Sequence, residues 1–235
     1  MKKIKLLEFW KRIKKIILFD DKENILKLNI IKPQEIEKKS FEMITEILGD
    51  KKILQEHENV IKRCIHTSAD FEYADNLYFS ENAVEIMKSA MKNGIDIVTD
   101  TQMGKAGINK MALKQLGIEV HCFIGDEDVA KEAKERGVTR SIVAVEKAIK
   151  MNKPLIFVVG NAPTALLRLN EAIKEKSYIP ALIVAVPVGF VNVVESKEII
   201  IESGVSCIVA KGRKGGSNIG AAICNAVMYE ITSRA

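Results

Sequence analysis

Five short apolar runs constrain this chain more than any other feature: IDIVT (95–99), IEVHCFI (118–124), LIFVVG (155–160), ALIVAVP (181–187) and SCIVAKG (206–212). Each is rich in β-branched residues, is bounded by turn residues, and is apolar at successive rather than alternate positions. A strand that is apolar on both faces must be covered on both faces. Helical patterns fill the gaps between the runs, so they predict a mostly parallel five-stranded sheet between two helical layers. Right-handed crossovers make this a three-layer, doubly wound α/β fold, and the strand count favours a flavodoxin-like over a Rossmann-like arrangement. The last run leads into a glycine-rich loop and a long helix, SNIGAAICNAVMYEIT.

Upstream of the strands the pattern is helical. Pro33 opens PQEIEKKSFEMITEIL and Gly49 closes it, in the places where proline begins and glycine ends a helix. A second helix is predicted from about Leu54 to Ile65, with Leu54, Val60, Ile61, Cys64 and Ile65 on its apolar side. FEYADNLYF (71–79) has no helical period and reads as a loop or short strand, after which Ser80 caps ENAVEIMKSAMKN, ending at Gly94. Residues 31–235 thus read as one α/β domain with an N-terminal helical appendage, and residues 1–30 as a separate basic extension.

Net positive charge is confined to that extension. Residues 1–16 hold seven basic side chains against the single acid Glu8, so the chain's net charge of +5 resides there. The body keeps no basic face with interleaved aromatics, which excludes a nucleic-acid-binding role. Ile4, Leu7, Trp10, Ile13 and Ile17 form a stripe suited to docking on the body or on a neighbouring subunit. Contact of residues 1–18 with an anionic membrane is the competing reading. Cys64, Cys122, Cys207 and Cys224 lie far apart without metal-ligand spacing. Reduced thiols, no metal site and a cytoplasmic location are therefore expected, as no signal peptide or bilayer-length apolar run is recognised.

In an open parallel sheet, ligands bind beyond the carboxyl ends of the strands. There the chain places TDTQ (99–102), GD (125–126), GNAPT (160–164), PVGFVN (187–192) and GRKGGSN (212–218). Loops of glycine and small polar residues let the backbone approach a large ligand, and helix-start N–H groups favour anionic oxygens. GRKGGSN, with two cations, is expected to hold an anion. DTQMGKAG departs from a dinucleotide fingerprint and RKGGSN from a Walker A loop. A nucleotide- or flavin-binding protein using GRKGGSN as its phosphate site stays as the alternative, and a polycarboxylate ligand stays open. Proton chemistry points elsewhere. In RCIHTSADFEYADNLYFS (63–80) a helical pattern stops at His66, one of three histidines, and imidazole gives and takes protons near neutral pH. His57 is expected to face solvent and His121 to be structural.

Taken in order, EIEKKSFEMI, RCIHTSADFEYADNLYFS, IVTDTQMGKAGI, VGNAPTALLRL, VPVGFVNVVESKE and GRKGGSNIGAAICNA resemble the precorrin-8X methylmutase family, which includes cobalt-precorrin-8 methylmutases. The resemblance covers roughly residues 32–231; family members usually begin near the Pro33 helix, so residues 1–30 are a departure. It implies an isomerase of corrin (vitamin B12) biosynthesis that moves a methyl group from C-11 to C-12 of precorrin-8X or cobalt-precorrin-8, giving hydrogenobyrinate or cobyrinate. No cofactor is implied, and cobalt, when present, belongs to the substrate. His66 is implied as the proton donor and acceptor, with Ser40, Arg63 and Arg140 as substrate contacts. Asn161, Arg213, Lys214 and Ser217, in the strand-end loops, are expected to receive the acetate and propionate groups of this tetrapyrrole polycarboxylate. A homodimer or higher homo-oligomer with its active site near the subunit boundary is also implied.

Overall fold

A computed structural model describes residues 32–232; the basic extension expected over residues 1–30 lies outside the described residues. The chain divides between Lys38 and Lys39, and the packing below is that of the unit beginning at Lys39. In chain order the elements are α1 (Pro33–Leu48), α2 (Gln55–Ser68), α3 (Tyr73–Asn76), β1 (Leu77–Phe79), α4 (Ala83–Lys92), β2 (Ile97–Thr99), α5 (Gln102–Gly107), α6 (Lys110–Leu116) and β3 (Val120–His121). They continue with α7 (Glu127–Arg136), α8 (Arg140–Ile149), β4 (Ile156–Val159), α9 (Pro163–Lys174), β5 (Leu182–Ala185), α10 (Val193–Glu202), β6 (Cys207–Ala210) and α11 (Ser217–Ile231).

The strands form one mixed, six-stranded sheet in the order β1-β6-β5-β4-β2-β3. Neighbours from β6 to β3 are parallel, and β1 is antiparallel to β6, with Leu77 opposite Ala210 and Phe79 opposite Ile208. Strand side chains alternate between faces, and this alternation divides the core in two. Ile156, Val158, Leu182, Val184, Ile208 and Ala210 meet Val60, Ile61 and Ile65 of α2 and Ile223 and Val227 of α11. Phe157, Val159, Ile183, Ala185, Cys207 and Val209 meet Val145 and Ala148 of α8, Leu166 and Leu169 of α9, and Ile200 of α10. Both faces are sealed from water, as the unbroken apolar runs require. Truncating a fully buried residue such as Leu182 to alanine costs about 2–5 kcal/mol.

The expected, mostly parallel five-stranded sheet is corrected to a mixed sheet of six strands, the sixth an antiparallel edge. The cause is local: Ser80 does not cap a helix but hooks residues 77–79 to β6. Its N–H donates to Cys207 O at 3.0 Å, and its Oγ accepts from Cys207 N–H at 2.9 Å. α4 begins instead after Asn82, in the left-handed region at φ 54°. The run 118–124 yields only the two-residue edge strand β3. All four cysteines are buried free thiols. No helix among the described residues is long and apolar enough to cross a membrane.

Candidate active site

α2 continues one turn beyond the expected stop, to Ser68, so His66 sits in its last turn rather than past its end. Val60, Ile61, Cys64 and Ile65 are buried; their spacing gives one apolar face, and His66 at the next position turns to the exposed side. Ala69, in the left-handed region at φ 55°, ends the helix by donating its N–H to Ile65 O at 2.7 Å. The imidazole is oriented from α1: Ser40 Oγ lies 2.8 Å from His66 Nδ1, and the Phe41 ring is tilted against it at 5.6 Å. A hydroxyl both donates and accepts, so Ser40 can hold Nδ1 in either protonation state and leaves Nε2 to a ligand. Arg63 is only 7% exposed. Its guanidinium lies over Phe41 at 4.7 Å and over Tyr229 at 5.2 Å, an arrangement favoured by the negative faces of the rings.

His66, Arg63 and Thr67 of α2, Gly107 at the end of α5, and Asn218, Asn225 and Tyr229 of α11 line a pocket of about 280 Å³. Its polar wall is internally braced. Asn109 N–H donates to Asn225 Oδ1 at 2.8 Å, Asn225 Nδ2 donates to Gly107 O at 3.0 Å, and Asn109 Nδ2 donates to Tyr229 Oη at 3.0 Å. Titratable His66 and cationic Arg63 therefore face neutral hydrogen-bonding groups, a setting suited to protonating a bound π-system beside an anionic substituent.

The glycine-rich loop explains how α11 reaches this position. After β6 the chain crosses the carboxyl ends of β5 and β4. Gly216 N–H donates to Val186 O at 2.8 Å, and a Cβ on Gly215 would lie 2.2 Å from that same oxygen. At β4, a Cβ on Gly160 would lie 2.6 Å from Ser217 Cα. Ser217 Oγ then meets Thr101 Oγ1, beyond β2, at 2.6 Å. Only residues without side chains allow so close a crossing, and the crossing delivers Asn218 to the pocket.

Of the residues expected at the site, His66, Arg63 and Ser40 come together. Lys214 pairs with Asp70 at 2.6 Å and Glu72 at 3.0 Å; these bonds raise its pKa, and the Lys214 bond lowers that of Asp70. Ser217 is committed to Thr101. Arg213 is exposed on the crossing loop and Arg140 is exposed at the start of α8; neither lines the His66 pocket. Asn161 is exposed, but the amides of its loop are already used. Gly160, Asn161 and Ala162 donate N–H groups to the Asp100 carboxylate at 2.8, 2.8 and 2.7 Å. Burial raises the Asp100 pKa, against the pull of those three bonds. The helix-start amides of GNAPT, expected to favour a ligand's anionic oxygens, are thus taken by the protein's own acid. His57 is corrected too: its side chain is 15% exposed and stacks flat on Phe79 at 3.8 Å, and burial lowers its pKa. His121 lies in β3 with Nε2 3.2 Å from Asp96 Oδ2.

Phe41, Thr67, Asn218, Asn225 and Tyr229 were absent from the expected site. A signal existed for three of them: Asn218, Asn225 and Tyr229 recur at helical spacing on a helix whose other residues between Ile219 and Met228 are apolar or glycine.

Fold and pocket define an α/β protein with a mixed six-stranded sheet and a histidine-lined pocket on a helix packed beside it. The precorrin-8X methylmutase family model matches residues 35–230, and the chain belongs to that family. A cobalt-precorrin-8 methylmutase of Priestia megaterium is 44% identical over 197 residues, covering 84% of this chain and 88% of the relative. A precorrin-8X methylmutase of Pseudomonas aeruginosa is 35% identical, covering 84% and 95%. The crystal structure of precorrin-8X methyl mutase from Thermus thermophilus superposes with a TM-score of 0.77 at 37% identity, covering 83% of this chain and 96% of that one.

Proposed function

We propose that the pocket between α2 and α11 is where a methyl group migrates from C-11 to C-12 of a precorrin-8 macrocycle, with His66 Nε2 giving and taking the proton. The single observation that carries this is the Ser40–His66 contact at 2.8 Å. It fixes the ring by Nδ1 beside a stacked arginine, so that one nitrogen of the histidine lining this pocket is left for substrate. Family membership supplies the reaction: an isomerisation of corrin biosynthesis. Migration of a methyl group along a conjugated ring needs alignment and an electron-deficient acceptor. Protonation of the macrocycle at a nitrogen or carbon supplies the second, and confinement of its edge supplies the first.

A pocket of about 280 Å³ takes one edge of a tetrapyrrole and leaves the rest outside. Exposed Arg63-independent cations, Arg140 and Arg213, are then suited to peripheral carboxylates, and a second copy of the chain is suited to cover the remaining face of the macrocycle in a cytoplasmic homo-oligomer. The nucleotide or flavin alternative is set aside. Its phosphate loop spends Gly216 N–H on Val186 and the Lys214 ammonium on Asp70 and Glu72. The reading is tested by mixing the full chain with hydrogenobyrinic or cobyrinic acid and desalting. The coloured product is expected to stay with the protein while flavin and ATP pass through; the reverse retention would overturn it.

A further inference from the structure

Lys197 is a buried charge for which the chemistry above has no use. It sits on α10 with 0% exposure, and burying an ammonium is unfavourable unless its hydrogens are satisfied. Two of the three are satisfied by the glycine-rich crossing: Nζ donates to Gly212 O and to Lys214 O, each at 2.8 Å. Two carbonyls converging on one point need two hydrogens on one atom at the end of a long stem, which lysine provides. The same turn is held on its other side, where Arg213 O accepts from Gly189 N–H at 3.2 Å and Gly216 N–H reaches Val186 O at 2.8 Å.

Residue 214 links this turn to His66. Its carbonyl is held by Lys197 and its side chain reaches Asp70 Oδ2 at 2.6 Å and Glu72 Oε1 at 3.0 Å. Asp70 and Glu72 belong to the segment that leaves α2 just after His66, a segment closed by Asp70 N–H to Ser68 Oγ at 3.2 Å and Glu72 N–H to Asp70 Oδ1 at 3.0 Å. We propose that Lys197 is a positioning residue for the active site: it fixes the 212–216 turn and, through Lys214, holds the segment after His66 in register with α11. Without its two donors the turn relaxes, Lys214 loses its hold on Asp70 and Glu72, and Asn218 shifts against the pocket. The kinetic half of this inference rests on the function proposed above; the structural half does not.

Hydrogen exchange on the full chain and turnover of cobalt-precorrin-8 test it together. Lys197→Met is expected to speed exchange about tenfold or more at the 212–216 amides and at 70–72, with β4 and β5 keeping wild-type protection. Lys214→Met is expected to speed exchange at 70–72 alone. Lys197→Met should also lose about tenfold in kcat/KM, and Lys197→Gln, which restores a donor, should recover part of both losses. Unchanged exchange at 70–72, exchange raised evenly through the sheet, or unchanged kcat/KM each overturns the proposal. If Lys197→Met does not fold, Lys197→Gln carries the same readouts at smaller amplitude. A wild-type chain that fails to turn over its substrate sinks the functional reading, while the exchange data still decide the role of Lys197.

Discussion

Ser40→Ala removes the hydroxyl 2.8 Å from His66 Nδ1 and little else, because Phe41 stays against the ring at 5.6 Å. A net hydrogen bond contributes about 0.5–1.5 kcal/mol, which at about 1.4 kcal/mol per decade is roughly a 2- to 12-fold loss. The residual ring contact makes the upper figure a ceiling. If Ser40 acts through His66, the loss falls on kcat, KM stays at its wild-type value, and Ser40→Thr, which keeps a hydroxyl, recovers much of the rate. The assay is conversion of cobalt-precorrin-8 followed by corrinoid absorbance, at several substrate concentrations, for the three proteins in parallel. A raised KM with unchanged kcat would show that the hydroxyl binds substrate directly and would refute the positioning role.

Burial depresses the Lys197 pKa to about 8 from its ordinary 10.5, so the folded protein binds this proton more weakly than the unfolded chain does. The residue's contribution to stability is therefore present above 10.5 and lost as pH falls through 8, a difference of about 3 kcal/mol. Denaturant titrations should show wild type gaining on Lys197→Met between pH 7 and pH 10; no relative gain would contradict the burial. Gly215→Ala puts a methyl 2.2 Å from Val186 O and is expected to cost about 1–3 kcal/mol in urea unfolding, with weakened product binding because the crossing to α11 is displaced. Arg63→Lys keeps the charge but gives up the planar stack between Phe41 and Tyr229. It should weaken hydrogenobyrinic acid binding and lower stability by about 0.5–2 kcal/mol, read by titration and thermal melts.

Periodicity made the sheet legible because burial on both faces writes itself into consecutive residues. Ile156 to Val159 and Leu182 to Ala185 are buried throughout, and no other element type places such short apolar runs between helices. β1 lies in the stretch read as a loop or short strand, but its place in the sheet was not legible, because its three residues are only half-buried and owe their pairing to Ser80, a residue whose local context reads as a helix cap. The site divided along the same line. His66, Arg63 and the Ser40 helix carry a family motif, and the structure brings them together. The strand-end loops misled, since glycines that suit a ligand also suit a close backbone crossing, as at Gly160 and Gly215. Nothing local distinguishes a loop whose N–H groups await an anion from one whose N–H groups are taken by Asp100, because the acid lies about sixty residues away in the chain.

The claim that His66 carries the proton is tested most directly by His66→Ala, assayed for both turnover and product binding. The side chain is exposed at the end of α2 and bears none of the core, so the variant should fold. Turnover of cobalt-precorrin-8 is expected to vanish while its product, cobyrinic acid, still binds with near wild-type affinity. Turnover at the wild-type rate in that variant would contradict the assignment.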